Sequence, residues 1–197
     1  TLVVPHIDTP PSPSIQEEAT ASVVIPFMSI YNNLVYFDQH DPQNRMDNIR
    51  PELATGWKWS DDGTKLTFAL RDGLLFHDGE KVLARDCVAS IARWAQRDTF
   101  GQQLWAILDE IKTLDDRRFS IRTRKPFRLM TYALGARYCF VMPERVAKLP
   151  ASEQLKDTTG SGPFRFLPGE WVSGASAAVM MAGSESPGNA FWPASIS

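Results

Sequence analysis

The chain has 197 residues, 43% of them hydrophobic, with 21 Lys and Arg against 23 Asp and Glu for a net charge of -2. That length and apolar fraction support a sizeable core, and the near-neutral balance removes any whole-chain electrostatic case for binding nucleic acid or an anionic membrane. No run of 18 apolar residues occurs, since the ASVVIPFM stretch is short and interrupted by Pro26, so no transmembrane helix is expected.

In chain order, Leu2-Val3-Val4 reads as a short strand ended by Pro5 and a Pro/Ser-rich run. Residues 15–31 hold a helix candidate, with Ser14 and Glu17 at capping-box spacing and Pro26 starting, kinking or ending an element. Residues 34–37 form an apolar strand before a polar surface loop, DQHDPQNRMDN. Residues 51–94 carry the strongest pattern. Trp57 and Trp59 alternate with Lys58, and Leu66, Phe68 and Leu70 with Thr67 and Ala69, the period of half-buried antiparallel strands. Asp61-Asp62-Gly63 supplies the hairpin turn. A third strand is expected after Asp72-Gly73, then a helix whose stripe is Cys87, Val88, Ile91, Trp94 and Ala95, packed on the hairpin. Leu83 occupies the cap position, with Asp86 favouring the positive end of the helix dipole.

Further on, residues 102–108 read as a helix, 111–114 and 119–123 as a hairpin around Asp115-Asp116, FRLMTYAL as a helix after Pro126, and 138–142 as a strand. Pro143 opens the short helix PERVAKL. GSGPFRF, residues 160–166, marks a junction, with Phe164 and Phe166 on one strand face. The tail from Val172 is rich in Ala, Ser and Gly, a linker-like composition expected to fray, although Met180, Met181, Phe191 and Trp192 leave docking open.

Several residue groups invite a chemical reading. Cys87 and Cys139 lack the short-spaced pair of a zinc site, so they read as buried thiols, with a disulfide as the alternative. His77-Asp78 sits at a turn, where Asp78 would bond local amides. Asp61-Asp62 and Asp115-Asp116 fall in solvated turns, away from the cleft that acid/base work needs. Ser161 lacks the strand-Ser-helix setting of a nucleophile elbow. No catalytic residue, metal or cofactor is therefore expected. Arg117, Arg118, Arg122, Arg124, Lys125 and Arg128 form a basic cluster, read as a solvated edge strand that discourages pairing.

Three motifs together resemble the extracellular solute-binding proteins of ATP-driven importers, in the class that serves dipeptides, oligopeptides and nickel complexes. They are PELATGWKWSDDGTKLTFALRDGLLFHDGEKVLARDCVASIARW, Met142-Pro143-Glu144 before a helix, and GSGPFRF. The resemblance implies an α/β, mixed α+β fold of the type II periplasmic-binding-protein kind, a hinged two-lobed clamp, of which this chain carries lobe one without the second lobe. It divides the chain into the start of the lobe-one sheet (1–44), a flanking subdomain of hairpins and helices (45–159), a return to the sheet (160–172) and an atypical tail (173–197) that looks truncated or frame-shifted. It implies a periplasmic or otherwise exported protein, a peptide or small-molecule solute, and a membrane permease as partner. It also places Tyr31, Asn32 and Asn33 at the solute cleft, local turn formation being the other reading of these three. A contrasting expectation is a lobe that no longer captures solute and serves as an oligomerisation or permease-docking module, self-associating through the surface that lobe two would cover.

Overall fold

The computed structural model describes residues 2–6, 14–16, 21–135, 138–150, 152–166 and 177–183. Strand β1 spans Leu2–His6, helix α1 Ala21–Phe27, β2 Val35–Phe37, β3 Ile49–Pro51, β4 Ala54–Trp59 and β5 Lys65–Leu70. Helices α2 (Ala84–Ala95) and α3 (Thr99–Ile107) precede β6 (Leu108–Asp115) and β7 (Arg118–Thr123). Short helices α4 (Met130–Leu134) and α5 (Glu144–Ala147) follow, then β8 (Phe164–Phe166) and β9 (Ala177–Gly183). The strands make three antiparallel sheets, ordered β1-β9-β8, β2-β3 and β4-β5-β7-β6.

The four-stranded sheet follows directly from the alternation. Leu66, Phe68 and Leu70 are buried on β5, and their neighbours Thr67 and Ala69 are half-buried. Phe68 lies opposite Phe119 of β7, with the rings stacked at 5.3 Å. The turn before β5 works as the composition predicts: Gly63 takes a φ of 67°, open to it without steric cost. Asp62 accepts from the Thr64 N–H and from the Ser60 and Thr64 hydroxyls, which hold its carboxyl down at about 2.

Helix α2 buries Cys87, Ile91, Trp94 and Ala95, as its stripe requires, but its principal partners are α3, α5, β6 and β7 rather than the β4–β5 hairpin. The sheet order explains the shift, because β7 lies beside β5 and carries the helix-covered side away from β4. The Ala84 N–H also donates to the Asp116 carbonyl in the β6–β7 turn, anchoring the helix start there. Asp86 does more than complement the dipole. One of its oxygens accepts from the Leu83 N–H at 2.7 Å, and the other accepts from the Glu144 N–H at 2.7 Å, joining the starts of α2 and α5.

Off the apolar stripe, two polar residues of α2 are also fully covered. Ser90 exchanges hydrogen bonds with the Met142 carbonyl and N–H. Arg93, 1% exposed, donates to the carbonyls of Leu149, Pro150 and Glu153, closing the loop that follows α5. Cys87 and Cys139 are buried free thiols, and burial pushes both far above their usual pKa. Neither is expected to react with an aromatic disulfide reagent until the protein unfolds. Two thiols released in denaturant and none in buffer is the expected count, and fast native labelling of either would contradict the packing.

Other expectations shift. The stretch after Asp72-Gly73 is no strand but a single bridge, Leu75 to Lys81, which closes a turn holding the positive-φ Gly79. Residues 138–142 likewise make one bridge, Val141 to Asn32, because their partner is a bent connection. Pro5 lies inside β1, opposite Ala178; β1 is an outer strand of its described sheet, where a missing N–H is tolerated. Ser14 accepts from the Leu155 N–H instead of capping a helix at residue 15, and Glu17 lies outside the described residues. The Arg-rich β7 is interior, not an edge: Arg118 pairs with Asp115, and Arg122 with Asp109 and Glu110. Arg117 pairs with Asp72. Arg117, Arg118 and Arg122 are thus partnered by acidic neighbours. Within the linker-like tail, residues 177–183 form β9 between β1 and β8, whereas Phe191 and Trp192 lie outside the described residues.

Buried side chains fall into two clusters. The larger joins the four-stranded sheet, α2 and α4 to Leu34, Val35 and Phe37. The smaller gathers Val23, Phe27, Ile30 and Tyr31 with Phe140, Met142, Val146 and Leu155, and Phe164 and Phe166 pack against it. The connection between α1 and β2 runs along the seam between them.

Candidate functional site

Residues 31–33 leave a 3-10 turn, Met28–Ile30, and enter β2. Tyr31, Asn32 and Asn33 are 5%, 6% and 8% exposed, so the three predicted residues lie together but enclosed within this chain. Tyr31 packs its ring against Phe140 at 5.6 Å. The Val141 N–H donates to the Asn32 carbonyl, and the Leu53 N–H donates to that of Asn33.

Glu52 holds the bend from below. Its two carboxyl oxygens accept from Asn32 Nδ2 and from the Asn33 N–H, each at 2.7 Å. Burial of that carboxyl raises its pKa, while the two donors and the nearby Arg71 charge favour the ionised form. The other end of the Asn32 amide is also engaged, since Ser161 Oγ donates to Asn32 Oδ1 at 3.2 Å. Asn32 therefore bridges Glu52 of the β3–β4 connection to the 160–166 segment.

Residues 160–162 explain their glycines by proximity. The Gly162 N–H donates to the Ile30 carbonyl at 2.8 Å. A Cβ on Gly160 would lie 2.1 Å from the Ile30 oxygen, and one on Gly162 would lie 2.5 Å from the Ser29 oxygen. The backbone of this segment thus lies directly on the turn that leads into residues 31–33.

His77 clamps the same segment from the opposite side. Its N–H donates to the Gly160 carbonyl at 2.9 Å, its Nδ1 accepts from the Gly160 N–H at 3.3 Å, and its Nε2 donates to the Gly162 carbonyl at 2.9 Å. These partners select the neutral tautomer protonated at Nε2. Burial lowers its pKa; the Arg165 charge adds to this, and the Gly162 carbonyl and Asp78 oppose it. Asp78 bonds the Glu80 N–H as its turn position predicts, and also pairs with Arg145 at 2.7 Å.

Sequence reasoning named residues 31–33 but missed Glu52 and the use of His77. Ser161 was weighed only as a nucleophile, whereas it serves as a hydroxyl donor to Asn32. The one available signal was the pair of glycines around a serine, which marks close backbone approach without naming the neighbour. Among the described residues no group of three His, Cys, Asp or Glu side chains stands close enough to hold a metal ion, and no helix is long and apolar enough to cross a membrane.

Residues 48–179 match the family model for bacterial extracellular solute-binding proteins, family 5 middle. That span includes Glu52, His77 and Ser161 and runs into β9. The chain is 40% identical over 139 residues to the probable peptide ABC transporter periplasmic-binding protein y4tO of Sinorhizobium fredii, a match covering 71% of this chain and 25% of that protein. It is 26% identical over 164 residues to the probable D,D-dipeptide-binding periplasmic protein DdpA of Escherichia coli, covering 81% of this chain and 31% of DdpA. Among solved structures, the periplasmic binding protein DppA from Helicobacter pylori, in complex with the peptide STSA, superimposes with a TM-score of 0.68 at 22% identity, over 90% of this chain and 38% of that one. The fold is that of type II periplasmic binding proteins, of which this chain spans a part. With two thirds of its length matched by the family model, the chain belongs to the bacterial extracellular solute-binding proteins of family 5.

Proposed function

We propose that this chain acts in solute capture for an ABC importer of peptides or similar small solutes, in the periplasm or an equivalent exported setting, and delivers its cargo to a membrane permease without catalysing a reaction. The observation that carries this reading is the 40% identity to a probable peptide ABC transporter periplasmic-binding protein. Residues 31–33 form part of one cleft wall in this reading, shaped by Glu52 and Ser161. With its amide engaged at both ends, Asn32 gives the wall a fixed shape, and preorganised polar walls need less ordering when a ligand arrives.

Calorimetric titration against a panel of di- and oligopeptides tests the reading. Saturable binding of a subset of the panel is expected. No heat at peptide concentrations up to about 1 mM, a binding free energy of about -4 kcal/mol, would sink capture by this chain.

A second reading is a module that docks on the permease or on another copy and does not capture solute. Ile25 and Met28, three residues apart at the end of α1, favour it by exposing 52% and 44% of their surface. Sedimentation that stays monomeric over a wide concentration range would remove the self-association half of this alternative.

A further inference from the structure

We propose that His77 is a positioning residue for residues 31–33, acting on them through residues 160–162 and Asn32, and that acid loosens the segment at its ring contact with Gly160. The path is continuous in hydrogen bonds. The imidazole grips Gly160 and Gly162 on either side of Ser161, Ser161 Oγ donates to Asn32 Oδ1, and Asn32 Nδ2 donates to Glu52, which also holds the Asn33 N–H. The gripped backbone cannot slide independently of the wall, because Gly162 is bonded to the Ile30 carbonyl immediately before Tyr31. Any displacement of residues 160–162 is therefore passed to residues 31–33 at two points, the Ile30 carbonyl and the Asn32 amide.

Proton uptake at Nδ1 turns an acceptor into a donor facing the Gly160 N–H, so the ring's hold on Gly160 is lost while the Nε2 bond to the Gly162 carbonyl remains. The folded protein favours the neutral ring, so the unfolded chain binds the proton more readily. The contribution of the Gly160 contact is accordingly complete above the ordinary histidine value of about 6.5 and is lost as pH falls from there through the lower folded value. The charged groups around the ring are Asp78 on its own turn and Arg165 on β8. Arg145 of α5 and Asp157, ahead of Gly160, are joined to Asp78 through an ion-pair chain. Asp157 has its pKa lowered and so carries its charge through the histidine range.

The proposal deepens the solute-capture reading, since it rests on residues 31–33 being a cleft wall; the hydrogen-bond path itself does not depend on that reading. The test is an NMR titration of the chain from about pH 8 to about pH 5, following the His77 ring nitrogens, the backbone amides of residues 31–33 and 160–162, and the Asn32 side-chain amide. The expected result is one shared midpoint, below the ordinary histidine value, at which Asn32 and Asn33 move with the ring. His77→Gln, which keeps a donor and an acceptor but no titrating group, is expected to preserve the neutral-pH spectrum and to abolish that shared movement. A local staple would move Gly160 and Gly162 alone, and that outcome overturns the proposal. Asn32 and Asn33 titrating unchanged in His77→Gln overturns it equally, assigning their response to Glu52. Peptide titration at the two ends of the pH range runs in parallel. If the amides move but no peptide binds at either pH, the capture reading fails and the positioning role of His77 stands.

Discussion

Replacing Gly160 with Ala is expected to destabilise the protein by about 3 kcal/mol, the upper end of overpacking costs, and to lower its melting temperature by roughly 6–12 °C at this chain length. The new methyl carbon would lie 2.1 Å from the Ile30 carbonyl oxygen and 2.8 Å from its carbon. Both obstacles are backbone, so no side-chain rotation relieves the contact. Moving the 160–162 segment aside would instead lengthen the Gly162 bond to Ile30, the Ser161 bond to Asn32 and the grip of His77 together. Gly73→Ala is the control. Gly73 has a φ of 71° and nothing within 4 Å of the place a methyl would take, so only the left-handed backbone is penalised, at about 1 kcal/mol. Denaturant midpoints with unchanged slopes would measure both. A Gly160→Ala cost no larger than that of Gly73→Ala would show that the segment does not rest on the Ile30 turn.

Arg93→Met is expected to cost about 3 kcal/mol, the upper end for loss of hydrogen bonds to a charged group. Methionine preserves most of the buried stem, so the change isolates the guanidinium. That group reaches the carbonyls of Leu149, Pro150 and Glu153, which arrive from different directions after α5 has ended. A planar fork with several donors suits such a set, whereas an ammonium on a flexible stem does not, so Arg93→Lys is expected to recover less than half of the loss. The loop after α5 should also gain amide exchange at residues 152–155 before the sheet does. A loss below about 0.5 kcal/mol, the range of ordinary surface substitutions, would mean that the loop is held by its apolar contacts alone.

What could be read from the sequence was local. The β4–β5 hairpin announces itself because Leu66, Phe68 and Leu70 alternate over consecutive positions and Gly63 sits at the turn between the strands. Helix α2 is equally plain, since its stripe repeats within 12 residues. Its cap was only half legible, because Asp86 bonds Leu83 three positions away and Glu144 at a separation of 58. The same limit hid the site. His77 meets Gly160 and Gly162 at separations of 83 and 85, and Ser161 meets Asn32 at 129. No periodicity reports such contacts. The grouping of residues 31–33 came from likeness to a family, and the residues that fix their shape did not come with it. The arginines of β7 misled for a related reason: alternation tells which face a side chain takes, but not whether its strand stands at an edge or between two others.

The order of the three-stranded sheet bears on how the chain comes together during synthesis. Strand β9 lies between β1 and β8, so neither outer strand has its described partner until residues 177–183 have been made. By contrast, β4, β5, β6 and β7 lie within residues 54–123 and pair only with one another. A chain growing from its N-terminus can therefore consolidate the four-stranded unit early, while Leu2–His6 waits for a partner about 175 residues downstream. During that interval β1 is an unpaired strand awaiting a late arrival. Pro5, which withholds one N–H from its ladder, reduces the chance that another chain pairs with it first.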